Sequence, residues 1–110
     1  MSKVDLNTFN SLKESTGVDF INELVDAFLD DAPTLIAQMR SALAEKNAEA
    51  FRRAAHSMKS NAATFGAMEL SALAKELENL ARENNLDVGN RVDVIEAEFQ
   101  QVKSELEKLK

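Results

Sequence analysis

The sequence predicts an all-α protein: an antiparallel, up-down four-helix bundle with one or two short extra helices at its N-terminus. Three observations lead there. Apolar residues recur at spacings of three and four through almost the whole chain, the pattern of amphipathic helices. Ala, Leu, Glu and Lys, all strong helix formers, dominate the composition. Turn and strand formers are scarce: 3 Gly, 1 Pro and no Trp or Tyr in 110 residues are too few for the many turns of an all-β fold.

The first segment runs from about Asp5 to Ser15, with Leu6, Phe9 and Leu12 on its apolar side and Gly17 as its stop. The second, about Asp19 to Asp31, carries Phe20, Leu24, Ala27 and Phe28, with Ile21 and Val25 widening the face. Pro33 lacks the N–H that a helix interior uses but suits a first turn. It opens a third segment, about Pro33 to Lys46, striped by Leu35, Ile36, Met39 and Leu43; the alternative is one long helix kinked at Pro33. Asn47 suits the N-cap of the fourth segment, and Glu49 falls in a first turn where the helix dipole favours an acid. That segment reaches about Thr64 and ends near Gly66. The fifth, about Met68 to Glu83, places Leu70, Leu73, Leu77 and Leu80 at alternating spacings until Asn84-Asn85 breaks the pattern. The sixth follows Gly89-Asn90, from about Arg91 to Leu109, on a stripe of Val92, Ile95, Phe99, Val102, Leu106 and Leu109. Four long helices with short connections make a bundle, and the shorter N-terminal ones lie across one end or extend one member.

At 110 residues the size prior is a single helical domain spanning 1–110. The absence of Cys excludes disulfides and thiolate metal sites. No apolar run approaches the ~20 residues of a membrane span. Met1-Ser2-Lys3-Val4-Asp5 lacks the apolar core of a signal peptide, so a cytoplasmic location is expected. With 19 acidic and 13 basic residues the net charge is −6, which opposes nucleic-acid binding. One His and scattered carboxylates offer no paired metal-ligand spacing, and no Gly-rich nucleotide loop occurs. The expectation is therefore no metal, no cofactor and no independent nucleotide-dependent enzyme.

The chemistry concentrates on the fourth segment. At 100° per residue, Ala55, Met58, Ala62 and Phe65 fall within about 40° of Phe51, with Ala54 slightly further round, and form a buried face. The other side holds Arg52, Arg53, His56, Lys59, Ser60 and Ala63. His56, the single histidine, thus faces solvent with a lysine one turn away. A neutral imidazole there is a candidate nucleophile for phosphoryl groups. Lys59 is placed to attract the added negative charge, and Arg52 and Arg53 to act at longer range. Ser60 and Ala63 are small enough for a partner's active site to approach the ring.

The run His56-Ser57-Met58-Lys59-Ser60-Asn61-Ala62-Ala63-Thr64-Phe65-Gly66-Ala67 resembles the signature of histidine-containing phosphotransfer (HPt) domains. That pattern is His, any residue, an aliphatic residue, Lys, a small residue, then a small-rich stretch to a Gly. Leu73-Ala74-Lys75-Glu76-Leu77-Glu78-Asn79-Leu80-Ala81-Arg82 looks like the family's following helix, and Phe28-Leu29-Asp30-Asp31-Ala32-Pro33 is in keeping with its upstream one. Ser60 departs from the commonest Gly, and Asn61 from a smaller residue. The resemblance implies that His56 is phosphorylated through Nε2, that Lys59 supports the phosphoryl group, and that Gly66 permits a tight turn between the two central helices. Counting back from that turn sets Lys75, Glu78 and Asn79 near the level of His56. Glu78 then either accepts a hydrogen bond from the imidazole Nδ1, as in the phosphorylated domain of chemotaxis kinases, or is a solvated carboxylate beside a lysine.

The implied function is a monomeric carrier that relays phosphoryl groups between Asp-phosphorylated response-regulator receiver domains in a two-component phosphorelay. A hybrid sensor kinase is a further implied partner, and Mg²⁺ is expected in the receiver and not in this chain. The alternatives are the phosphorylated domain of a chemotaxis-type or hybrid sensor kinase, and a helical docking module that is never phosphorylated.

Overall fold

The structure, a computed structural model, describes residues 2–110, and among them are five helices and no strand. These are α1 (Leu6–Thr16), α2 (Val18–Ala44), α3 (Ala48–Thr64), α4 (Met68–Arg82) and α5 (Arg91–Leu109). Helices α2 to α5 pack as a ring in which each touches the next and α5 returns to α2, while α1 leans on α2 and α3. The expected four-helix bundle with an added N-terminal helix is the observed architecture.

Local signals set the ends. The Asp5 carboxylate caps α1 by accepting the Asn7 N–H at 3.2 Å. Gly17, at φ +98°, closes α1 with its N–H on the Lys13 carbonyl and leads into α2. Asn47 Oδ1 caps α3 by accepting the Ala50 N–H at 3.0 Å. The core runs along the inside of the ring, where Phe28 stacks on Phe65 with centroids 5.1 Å apart and meets the edge of Phe99 at 5.8 Å. Burying side chains of this size stabilises the bundle by roughly 1.5–3 kcal/mol each.

Two readings of α2 change. The helix passes through Pro33 without a break, so the two segments are one helix of 27 residues and only one short N-terminal helix precedes it. The physical reason is phase. Ile21, Val25, Phe28, Ala32, Ile36 and Met39 are all buried at spacings of three and four, so the apolar face is continuous across the proline, which itself is exposed. The same phase corrects Phe20. It is 51% exposed, because Ile21 and Val25 lead the buried stripe and not Phe20 and Leu24.

The N-terminal residues tie the end of the bundle near the α3–α4 turn. The Glu105 carboxylate of α5 accepts the Lys3 N–H at 2.6 Å, the Val4 N–H at 3.3 Å and the Ser2 hydroxyl at 2.6 Å. Val4 is buried, and the Lys3 ammonium lies between Glu69 (2.9 Å) and the buried Glu98 (3.2 Å). The Asp5 N–H then donates to the Gly66 carbonyl at 2.8 Å. Gly66 adopts φ +84°, and a Cβ there would stand 2.7 Å from the Asp5 carbonyl oxygen. Both the left-handed backbone and the contact exclude a side chain. Gly66→Ala is expected to lower the midpoint of urea unfolding, by roughly 1–3 kcal/mol of stability at an unchanged slope. A midpoint equal to that of the parent protein would show that the turn relaxes freely.

Candidate functional site

Helix α3 carries the candidate site because its two faces differ so sharply. Phe51, Ala54, Ala55, Met58, Ala62 and Phe65 are buried as the periodicity requires. His56, Arg53 and Ser60 are exposed on the opposite side, with Arg52, Lys59 and Ala63 partly covered. The His56 side chain is 53% exposed.

Helix α4 runs antiparallel beside α3 and brings Glu78 under the ring. His56 Nδ1 lies 2.7 Å from Glu78 Oε2, and the Lys59 ammonium lies 2.7 Å from Glu78 Oε1. The carboxylate is almost completely buried, with 2% of its side chain accessible. Of the two arrangements open for Glu78, the structure therefore has the one in contact with the imidazole, with Lys59 as a second partner on the same group. Lys75 and Asn79, at the same level, are exposed.

Burial pushes the Glu78 carboxyl up. The hydrogen bonds from Lys59 and His56, joined by the Lys59 charge, outweigh that and hold it below the usual carboxylate range. An ionised carboxylate can only accept hydrogen bonds. The Nδ1 atom of His56 must then be the donor, which leaves the lone pair of a neutral ring on Nε2. The arrangement thus selects one tautomer and presents a nucleophilic nitrogen on an exposed ring.

Arg82, which the sequence did not single out, completes the cluster. Its guanidinium lies 3.1 Å from Glu78 Oε2, the oxygen that also serves His56, and donates to Asn79 Oδ1 at 3.2 Å. The available signal was the four-residue spacing of Glu78 and Arg82, which sets both on one face of a helix. Arg52 behaves differently from a free cation: it donates to Glu49 through both Nε (3.2 Å) and a terminal nitrogen (2.5 Å). Arg53 approaches the same Glu49 at 3.8 Å. Lys59 and Arg82 thus share the carboxylate that holds the ring, and the charge of Arg52 and Arg53 is partly offset by Glu49. Gly66 lies ten residues along the chain from His56, at the α3–α4 turn and away from the ring. Among the described residues no three His, Cys, Asp or Glu side chains converge as a metal site, and no helix is long and apolar enough to cross a membrane.

The family model of the Hpt domain matches residues 23–109. The chain belongs to the Hpt domain family. Among solved structures, it is similar to histidine-containing phosphotransfer protein B (HptB) from Pseudomonas aeruginosa PAO1, with 28% identity and a TM-score of 0.88. The match covers 96% of this chain and 92% of that one. A search of curated proteins returned no match. The family match includes all of α3 and α4, so His56, Lys59, Glu78 and Arg82 all lie within the Hpt domain.

The carboxylate geometry has a consequence for pH. Because the folded-state pKa of Glu78 lies below its ordinary value of 4.5, its contribution to stability is complete above that value and disappears as pH falls through the lower folded-state value. Glu78→Gln should therefore differ most from the parent protein in urea unfolding at neutral pH, with the gap narrowing below pH about 4.5. A gap of constant size from pH 7 to pH 3 would contradict an ionised Glu78.

Proposed function

We propose that this Hpt domain is a phosphoryl carrier whose acceptor is His56, and that it exchanges phosphoryl groups with Asp-phosphorylated receiver domains of a two-component phosphorelay. The observation that carries the reading is the pairing of an exposed imidazole with a buried, ionised carboxylate through Nδ1. The lone pair on Nε2 attacks the phosphorus of the receiver's aspartyl phosphate. A P–N bond forms as the P–O bond to the carboxylate breaks, and that electron pair returns to the receiver's Asp. Positive charge develops on the imidazole during attack, and the negative Glu78 beneath it stabilises that charge while Nδ1 keeps its proton. Lys59 faces the incoming oxygens with an ammonium already held in place by Glu78 Oε1. The reverse step hands the group to a second receiver.

The division of labour follows from what this chain offers. It supplies the nucleophile, its tautomer and nearby cations. The Mg²⁺ that phosphoryl transfer from an acyl phosphate uses belongs to the receiver. Docking is assigned to the α3 face and the adjoining end of α4, where the small Ser60 and Ala63 leave the ring approachable and Arg52, Arg53 and Lys59 of α3 lie with Arg82 of α4 in a chain of net charge −6. Such a local basic patch favours an acidic phosphorylated partner and weakens with added salt. The protein acts as a covalent intermediate between partners, in the aqueous compartment where receivers work, and as a monomer.

The test is transfer of label from a phosphorylated receiver, followed by intact mass measurement at neutral pH. The parent protein should gain one acid-labile phosphoryl group, and His56→Gln should gain none while remaining folded. Lys59→Ala should slow the transfer about tenfold, the loss of one charge-assisted contact. Label retained by His56→Gln would remove the assignment. A parent protein that binds receivers yet never acquires label would instead be a docking module.

A further inference from the structure

The site contains one interhelical bond that no step above uses. Ser71, in the first turns of α4, donates its hydroxyl to the main-chain carbonyl of Lys59 on α3 at 2.9 Å. The nearer choice for a helical serine is the carbonyl four residues back, here that of Ala67. That carbonyl already accepts the Ser71 N–H at 3.0 Å, and the hydroxyl crosses to the other helix. The Lys59 carbonyl has no need of it, since in the interior of α3 it accepts the N–H of Ala63 in the ordinary helical pattern. The bond therefore serves as a tie between helices more than as satisfaction of a buried group.

Its place makes the tie matter. Ser71 and Glu78 are seven residues apart on α4, two turns along one face. Helix α4 thus grips Lys59 at two points: Ser71 holds its carbonyl and Glu78 its ammonium at 2.7 Å. The same Glu78 holds His56, three residues before Lys59 on α3. Fixing the main chain of Lys59 against Ser71 fixes how far α3 can slide along α4. That sliding coordinate sets whether the ring and the ammonium both reach one carboxylate. The flanking small residues, Ala55 and Ala62 on α3 and Ala74 and Ala81 on α4, let the backbones approach but do not define a register. A directional bond does.

We infer that Ser71 is a positioning residue for the phosphoacceptor, acting through the α3–α4 register to keep His56 and Lys59 on the Glu78 carboxylate. This rests on the carrier reading above. It touches neither the imidazole nor the phosphoryl group, so its effect is on geometry alone. A misplacement of about 1 Å at the reacting atoms can cost on the order of 100-fold in rate, so a smaller shift of the nucleophile is expected to cost severalfold.

The probe is potassium phosphoramidate, a small donor that phosphorylates an imidazole with release of ammonia and requires no docking. Ser71→Ala, Ser71→Thr and the parent protein are compared by intact mass for the rate of phosphohistidine formation. In parallel, NMR follows the Nδ1 proton of His56. Ser71→Ala should remain folded, because alanine's helix propensity offsets the lost bond. It should form phosphohistidine roughly fivefold more slowly, with the Nδ1 proton signal weakened or shifted upfield as the bond to Glu78 lengthens. Ser71→Thr keeps the hydroxyl and should match the parent in both. An Ser71→Ala rate and Nδ1 signal equal to the parent's would overturn the inference, as would a slower rate with an unchanged signal. If the parent itself gains no phosphoryl group, the carrier reading is what fails, and the Nδ1 signal still decides the role of Ser71.

Discussion

A single buried carboxylate organises the chemistry of this bundle. Glu78 is removed from water, and burying a charge without compensation is expensive. Compensation comes from three donors on two helices: Lys59 on one oxygen, His56 and Arg82 on the other. Because the cations arrive from α3 and from α4, the cost of burial is met only when the two helices are docked in one register. The ionic cluster is therefore both a constraint on packing and the means by which an imidazole is held in one tautomer. Removing any donor disturbs all the others, since they share two oxygen atoms.

The rest of the fold can be read as support for that arrangement. Alanines on the facing sides of α3 and α4 allow close approach, and the aromatic contacts of Phe28, Phe65 and Phe99 anchor α2 and α5 around the pair. At the far end of α3, the N-terminal residues bind Glu105, Glu98 and Gly66, so the turn that sets the α3–α4 pairing is itself held from outside. The face of α3 that carries His56 is left exposed. The His56 side chain is 53% exposed, as the proposed approach of a second protein requires.

Most of this architecture was legible in the sequence, because amphipathic periodicity is a direct record of burial. The two faces of α3 follow from it, including the exposure of His56 and the burial of Met58 and Phe65. The boundaries of α1, α3, α4 and α5 follow from caps and breakers. Periodicity fails where two stripes compete. On α2, Phe20 and Ile21 both begin plausible faces, and only the packing partners choose between them. Pro33 reads as a boundary because local propensity penalises it, yet tertiary packing on a continuous apolar face outweighs that penalty. Charged residues are harder still. A glutamate in an amphipathic helix reads as solvated, and the burial of Glu78 depends on cations contributed from a different helix. Ser71 and the N-terminal tie to Glu105 were hidden for the same reason: each is a contact between different elements, and no spacing records it.

One proton decides the chemistry of the ring. If Glu78 is an ionised acceptor beneath the ring, then the imidazole of His56 carries its hydrogen on Nδ1 and Nε2 is bare. Long-range ¹H–¹⁵N correlation spectra of ¹⁵N-histidine-labelled protein, recorded at alkaline pH, measure this directly. The structure predicts a pyridine-type Nε2 and a protonated Nδ1, with the pattern lost in Glu78→Ala. A predominant Nε2–H form, the usual preference of a free histidine, would contradict it.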